Sequence, residues 1–373
     1  MRVVQLLTCI TPTNLPFFKE LSKEIGDLHI FISTPREKNR SWPIQWDDLK
    51  IKVQKTIIIP ISLKYQHGVI EKTYMYIPYD TLFILVKLKP EWIITNEFGA
   101  RTFFSVIYKI FHSKTKIAVS VGLSEYSEMN RSKFRKYFRK WLIKKTDILF
   151  VNGESGKKYL QKLTPPEKPI VVINYTVDLT PYSSIPLKRS SQISKRFLYS
   201  GRLIPLKGLI DFLSVLCRWA EVHSETEWEW WLIGDGPLAN QIQEYPLPKN
   251  LHVKLFGRVE YSELPKYYAQ VGVFVFPTYK DEWGLVINEA LASGLPVIGS
   301  IYSQAVEELV AEGENGWLFK TDNSTEIFEA LERFYKTSKQ GLNFMREASR
   351  KRVQQISPNF AAQKMAKSIS EIK

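Results

Sequence analysis

Short apolar runs recur along the chain at Val3 to Leu7, Leu28 to Ile32, Trp92 to Thr95, Ile117 to Val121, Ile148 to Val151 and Ile170 to Ile173. They are rich in β-branched residues and alternate with longer segments of helical spacing, the pattern of buried parallel strands joined by crossover helices. A second series follows at Phe197 to Tyr199, Trp230 to Ile233, Val253 to Phe256, Val273 to Phe276, Val297 to Ile298 and Trp317 to Phe319. The fold class is therefore α/β, with two doubly wound, Rossmann-like domains over residues 1–185 and 196–356. The Ser- and Pro-rich stretch Asp178 to Lys195 reads as their linker. Helices are expected over Ser324 to Ser338, Leu342 to Ile356 and Asn359 to Ile372, the last two separated by Pro358. Ligands of such sheets bind beyond the carboxyl ends of the strands, so the loops there are where chemistry is expected.

A chain of 373 residues is longer than one core usually supports, in keeping with two domains. Its net charge of +14 is unevenly placed: residues 1–190 hold 31 Lys and Arg against 16 Asp and Glu, while the rest hold 21 against 22. One domain is thus built to meet an anionic surface. The densest stretch, Arg131 to Lys145, has eight basic residues and no acid, with Phe134, Phe138, Trp141 and Leu142 at spacings of three and four. It reads as a basic amphipathic helix that docks on anionic lipid; the competing reading is a surface helix whose aromatics fill the core. Only Cys9 and Cys217 occur, which makes a structural disulfide and a zinc site improbable. The amino-terminal residues read as a strand rather than a signal peptide, and no apolar run approaches the roughly 20 residues that span a bilayer. A cytoplasmic protein is expected, peripheral on the inner face of the membrane.

The most informative stretch is Asp281-Glu-Trp-Gly-Leu-Val-Ile-Asn-Glu289. If Gly284 opens a helix, the N–H groups of Gly284, Leu285 and Val286 have no intrahelical partner and favour phosphate in front of them. Even on one helix the two acids would stand roughly 12 Å apart, too far for a retaining hydrolase pair at about 5 Å. They grip two parts of one ligand. Upstream, Phe197 to Ser200 ends at Gly201, and Arg202 and Lys207 place cations beside the turn, as an anion requires. A third turn, Gly234-Asp235-Gly236-Pro237, also closes a strand and puts Pro at the first position of the next helix.

In this order the motifs resemble the family-4 glycosyltransferases (glycosyl transferases group 1), retaining enzymes of the GT-B fold whose two Rossmann-like domains face a central cleft. The resemblance runs from Gly201-Arg202 and Lys207-Gly208 through Gly234 to Pro237 and Leu255-Phe-Gly257, to Asp281, Glu289 and Gly294-Leu-Pro-Val297. The family usually has Glu at the first acidic position. Asp281 is aligned there because it keeps seven residues before Glu289, and Glu282 is the other candidate.

The resemblance implies that Arg202 and Lys207 hold a diphosphate and stabilise charge as the sugar leaves. It implies that Glu289 binds the ribose hydroxyls, that Asp281 binds the donor sugar, and that Gly284, Leu285 and Val286 help through their backbone. Gly201, Gly234 and Gly236 line the donor, and Arg258 and Val259 lie by the base. It further implies that the departing phosphate takes the acceptor's proton, that the carboxy-terminal helix, about residues 359–373, packs back on the first domain, and that the first domain binds the acceptor. No cofactor beyond the nucleotide sugar is expected, and no metal, since the chain has no Asp-x-Asp triplet. Thr13, Asn14, Glu97, Arg101 and Glu125 lie on loops after strands of the first half and are the candidates for contact with a saccharide or lipid-linked acceptor.

The expected function is transfer from a nucleotide diphosphate sugar in surface polysaccharide or glycolipid assembly. Two alternatives are a nucleotide-sugar epimerase on the same fold and a non-catalytic basic nucleic-acid or sugar binder. No nucleic-acid motif supports the latter, so nucleic acid is not an expected partner.

Overall fold

The structure, a computed structural model, describes residues 1–38, 44, 46, 48–64, 70–126, 128 and 133–372. The chain divides into two compact units, Met1–Val177 with Ile356–Lys373, and Asp178–Gln355. In the first unit the strands are β1 (Arg2–Leu7), β2 (Asp27–Ile32), β3 (Ile51–Val53), β4 (Thr56–Lys64), β5 (Ile70–Pro78), β6 (Trp92–Asn96), β7 (Lys116–Val121), β8 (Ile148–Val151) and β9 (Ile170–Val172). Seven of them form a parallel sheet in the order β3-β2-β1-β6-β7-β8-β9, and β4 and β5 make a separate antiparallel hairpin.

Side chains alternate across this sheet, and the register shows which belong together. Val4 pairs with Ile93 and Ile93 with Ile117, so these three point to one face. The helices Thr81–Leu88, Ala100–Phe111, Lys133–Lys145 and Glu154–Gln161 cover that face, burying Leu85, Val106, Tyr108, Leu142, Ile143 and Leu160 against it; only the last of the four carries an acid, Glu154. Val3, Leu7, Ile94, Ala118, Ile148 and Phe150 point the other way. There they meet Phe18 and Leu21 of the helix Leu15–Ile25 and Ala361, Ala362, Met365 and Ile369 of the helix Pro358–Glu371.

The second unit holds β10 (Arg196–Ser200), β11 (Trp228–Ile233), β12 (Leu251–Leu255), β13 (Val273–Phe276), β14 (Val297–Ser300) and β15 (Gly316–Phe319), in the order β12-β11-β10-β13-β14-β15. All its pairs are parallel. Chain order therefore reverses between β10 and β13, and the loops that leave these neighbouring strands diverge to opposite sides. Every apolar run expected to be a strand is one.

The structure departs from the sequence reading in several places. The hairpin β4–β5 and the short β3 carry no strong buried pattern, because Ile57, Ile59 and Met75 are exposed. The stretch Asp178 to Lys195 is not a free linker. It belongs to the second unit, where Tyr182 is fully buried and the Ile185 carbonyl accepts from Arg350. Pro237 does not start a helix, which begins only at Ala239. The basic helix runs from Lys133, and Arg131 lies outside the described residues. Cys9 and Cys217 are both buried, and neither is in a disulfide. Among the described residues no helix is long and apolar enough to cross a membrane.

Candidate active site

The reversal between β10 and β13 decides what meets in the second unit. After β10 the chain makes one 3₁₀ turn, Pro205–Lys207, and leaves through Gly208 at φ 62°. A Cβ on Gly208 would lie 2.1 Å from the Pro277 carbonyl oxygen, so only glycine allows both this conformation and this approach. The loop after β13 is tied down at the same place: the Tyr279 N–H donates to the Leu206 carbonyl at 2.9 Å, and Thr321 Oγ1 donates to the Thr278 carbonyl at 2.9 Å.

The result is a contact between residues 74 positions apart: Lys207 Nζ donates to Asp281 Oδ2. The ammonium is nearly buried and stands 5.3 Å from the centroid of the Phe276 ring. The Asp281 backbone pairs with the loop after β14, its N–H donating to Tyr302 O at 3.1 Å. Oδ1 accepts from the Trp283 N–H at 3.3 Å, which closes the turn into the next helix. Of the two adjacent acids, Asp281 is the one that reaches Lys207, and Glu282 is exposed.

Gly284 has φ 98° and no side chain to cap the helix Leu285–Ala292, so the first N–H groups of that helix leave its end uncapped. Trp283 is buried and anchors the junction, with Nε1 donating to Asn288 Oδ1 at 2.9 Å and its carbonyl accepting from Ser303 Oγ at 2.6 Å.

Arg202 follows Gly201, and its carbonyl accepts from the Tyr199 hydroxyl at 2.9 Å. Tyr199 is fully buried, and desolvation pushes its pKa well up; Asp281 adds to that shift and Arg202 opposes it. Both charges therefore act on one hydroxyl. Gly234 packs so tightly on this turn that a Cβ there would sit 1.9 Å from the Gly201 carbonyl oxygen. The Leu203 N–H donates to Asp235 O at 2.9 Å and the Gly234 N–H to Gly257 O at 2.7 Å, joining the Gly201, Gly234 to Gly236 and Gly257 turns in one backbone network. Arg258, exposed, and Val259, half-buried, lie just beyond it.

Glu289 stands elsewhere in the unit. It is 2% exposed, on the buried side of the helix Leu285–Ala292, and its Oε2 accepts from the Tyr268 hydroxyl at 2.9 Å. The hydroxyls of Tyr182 and Tyr261 also draw its pKa down, although neither makes a well-formed hydrogen bond. Burial dominates, and the carboxyl is raised to about 7. These three tyrosines were invisible to sequence reasoning, since they come from three separate segments and gather only through the fold. The one local signal is the position of Tyr261, three residues after Arg258.

In the first unit the candidates are braced by their own loops. The Asn14 side chain accepts from the Thr11 N–H at 2.8 Å, and Thr13 Oγ1 lies 2.9 Å from Thr11 Oγ1. Arg101 is fully buried, paired with Glu97 and donating to Ser33 Oγ at 2.7 Å; burial lowers its pKa and Glu97 opposes that. It holds the Glu97 turn, where Glu97 itself has φ 79°. Glu125 pairs with Lys162 at the surface.

Residues 194–337 match the family model described as Glycosyl transferases group 1. An uncharacterized glycosyltransferase of Methanocaldococcus jannaschii is 28% identical over 135 residues, 36% of this chain and 36% of its own. The N-acetylgalactosamine-N,N'-diacetylbacillosaminyl-diphospho-undecaprenol 4-alpha-N-acetylgalactosaminyltransferase of Campylobacter jejuni is 22% identical over 234 residues, 61% of this chain and 63% of its own. The chain spans about half the length of the curated relatives it matches. The crystal structure of Anabaena HepE in complex with UDP superposes with a TM-score of 0.74 over 99% of this chain and 100% of that one, at 16% identity. The architecture is thus the GT-B fold, and within the second unit residues 194–337 are similar to the group 1 glycosyltransferases.

Proposed function

We propose that the protein is a retaining transferase of family-4 type that moves a sugar from a nucleotide diphosphate sugar to a saccharide or lipid-linked saccharide in surface polysaccharide or glycolipid assembly. The observation that carries this reading is the nearly buried Lys207–Asp281 pair beside the uncapped helix at Gly284. A buried ammonium is costly without an anion, and here its carboxylate partner is a side chain that an incoming diphosphate can replace.

When donor enters, Lys207 and Arg202 neutralise the diphosphate, aided by the N–H groups of Gly284, Leu285 and Val286. Asp281 is then released to the hydroxyls of the donor sugar. The bond from the anomeric carbon to the phosphate oxygen breaks as the acceptor oxygen bonds on the same face, and the acceptor's proton passes to that phosphate oxygen. Charge stabilisation by fixed cations is worth about 10²- to 10³-fold per donor group. Glu289 takes the ribose side: ribose hydroxyls exchange for the tyrosine hydroxyls on its carboxyl, one O–H donor replacing another. Arg258 and Val259 flank the base.

Lys207 and Arg202 supply the positive charge, so transfer is metal-independent and survives a chelator. The first unit binds the acceptor, with Thr13, Asn14, Glu97 and Glu125 at the loops. The similarity to the diphospho-undecaprenol N-acetylgalactosaminyltransferase of Campylobacter jejuni favours a lipid-linked acceptor. The basic helix up to Lys145 would then hold the protein at the inner face of the membrane.

The test is a thermal-shift panel of nucleoside diphosphates and their sugars, since a ligand that binds only the folded state raises the melting point. One nucleotide should stabilise the wild type and lose its effect in Lys207→Ala. Equal shifts in both proteins would refute the assignment of the clamp.

A further inference from the structure

We infer that the first unit lies on an anionic bilayer through the outer sides of three neighbouring acid-free helices on one sheet face, and not through the basic helix alone. This deepens the proposal of a membrane-held acceptor and rests on it only for its purpose.

The helices Thr81–Leu88, Ala100–Phe111 and Lys133–Lys145 pack side by side over one face of the seven-stranded sheet. The ring of Phe103 joins the last two, 6.3 Å from Phe138 and 6.0 Å from Trp141. Their inward residues are spent on the sheet: Leu85, Val106, Tyr108, Leu142 and Ile143 are buried. Their other sides nevertheless carry large apolar groups in the open. Phe83 is 72% exposed, Phe111 79%, Phe134 81% and Tyr137 70%, with Val86 and Trp141 also exposed. Singly exposed apolar residues need no explanation; rings repeated on three adjacent helices do.

Charge identifies the occupant. None of the three helices contains Asp or Glu, and Lys87, Lys133, Lys136, Lys140 and Lys144 are exposed among the rings. The helices on the opposite face are different: Leu15–Ile25 and Pro358–Glu371 mix both signs, with Lys23 bonded to Glu20 at 2.6 Å and Lys367 paired with Glu371. Exposed rings and lysines without acids suit a bilayer of anionic headgroups, where rings enter the apolar boundary and lysines meet phosphates. An acidic protein partner could meet the lysines but would leave Phe83 and Phe111, on helices with few cations, without a role.

The experiment is co-sedimentation of the full chain with phosphatidylcholine vesicles, with and without phosphatidylglycerol, at low and high salt. The wild type should pellet with anionic vesicles and retain part of that binding at high salt. Exchanging Lys133, Lys136, Lys140 and Lys144 for Gln should weaken it at least a hundredfold, at about fivefold for each cation near the surface. Phe83→Ser with Val86→Ser, on the helix away from the basic one, should weaken it at least tenfold and remove the salt-resistant part. In both variants the nucleotide-induced thermal shift should match the wild type, which separates failure here from failure of the donor site.

Wild-type sedimentation independent of phosphatidylglycerol would overturn the inference. So would undiminished binding by the Phe83/Val86 variant, which would leave the basic helix as the sole contact. Self-association of the wild type that Phe83→Ser abolishes, without vesicle binding, would assign the face to a second copy of the chain and sink it too.

Discussion

In the second unit Lys207, Glu289, Arg189 and Arg346 are buried, each set against groups that answer it: Asp281, the Tyr268 hydroxyl, the Val271 carbonyl and the side-chain Oδ1 of Asn343. In the first unit the excess charge is turned outward, and Lys133, Lys136, Lys140 and Lys144 follow one another along an exposed helix with no acid on it. Removing a charge from water is expensive unless specific partners replace the hydration, so buried charges mark positions where one particular partner is wanted. Exposed cations act collectively, at a distance and in a salt-dependent way. On the proposed reading, the same residue types serve recognition of one group in one unit and of a surface in the other. Arg101 with Glu97 shows that the first unit also builds buried pairs; its surplus is what differs.

The contrast breaks most sharply at Lys207. Lys207→Ala should lower the rate of transfer by about 10²- to 10³-fold while leaving vesicle binding untouched, as sedimentation beside a turnover assay would show. Loss of both together would mean the two units do not divide the work.

A smaller, pH-dependent effect is expected at Glu289, whose folded-state pKa lies at about 7, above that of an ordinary carboxyl. Between roughly pH 4.5 and 7 the unfolded chain releases this proton and the folded protein keeps it, so stability from this group falls as pH rises. A shift of this size corresponds to about 3 kcal/mol. Glu289→Gln should lack this slope in melting curves taken across that range. Tyr268→Phe, which removes a hydrogen bond to the carboxylate, should carry the loss to higher pH. A Tyr268→Phe profile that coincides with the wild type would deny that this phenol holds the carboxyl.

Gly208→Ala forces a side chain onto φ 62° and against the Pro277 carbonyl. Denaturant unfolding should show a loss of about 1–3 kcal/mol, together with weaker nucleotide binding, because that close approach is what sets Lys207 beside Asp281. The four Lys→Gln exchanges should by contrast change stability by no more than about 0.5 kcal/mol. Smallest of all, Glu125→Gln breaks a surface pair with Lys162 worth less than about 1 kcal/mol. Turnover that is unchanged, measured at subsaturating acceptor, would retire Glu125 from the acceptor site.

Much of this was legible along the chain. Buried parallel strands must be short and apolar on both sides, which is why Val3 to Leu7 and Val273 to Phe276 declare themselves. The hairpin of β4 and β5 hides because its isoleucines face outward and spread no burial signal along the strand. The glycines at 201, 208, 234 and 284, read as turns from the sequence, all take positive φ. Glu289 and Arg101 were read as charges that contact ligands, and the fold gives each a buried partner that the sequence does not show, the Tyr268 hydroxyl for Glu289 and the Ser33 hydroxyl for Arg101. No local pattern distinguishes a carboxylate that meets solvent from one that meets three phenols drawn from residues 182, 261 and 268.

Sequence alone determined the order of the buried parallel strands and the helices between them, the turns that glycine must make, the near balance of charge in the second half and the surplus of positive charge in the first. Periodicity and backbone restriction are local, so they survive in a linear string. The tertiary structure decided which partners meet: Asp281 with Lys207 across the reversal of β10 and β13, Glu289 with its tyrosines, and the three acid-free helices side by side. Those contacts depend on strand order and on the face each side chain takes, and both come into being only when distant segments pack.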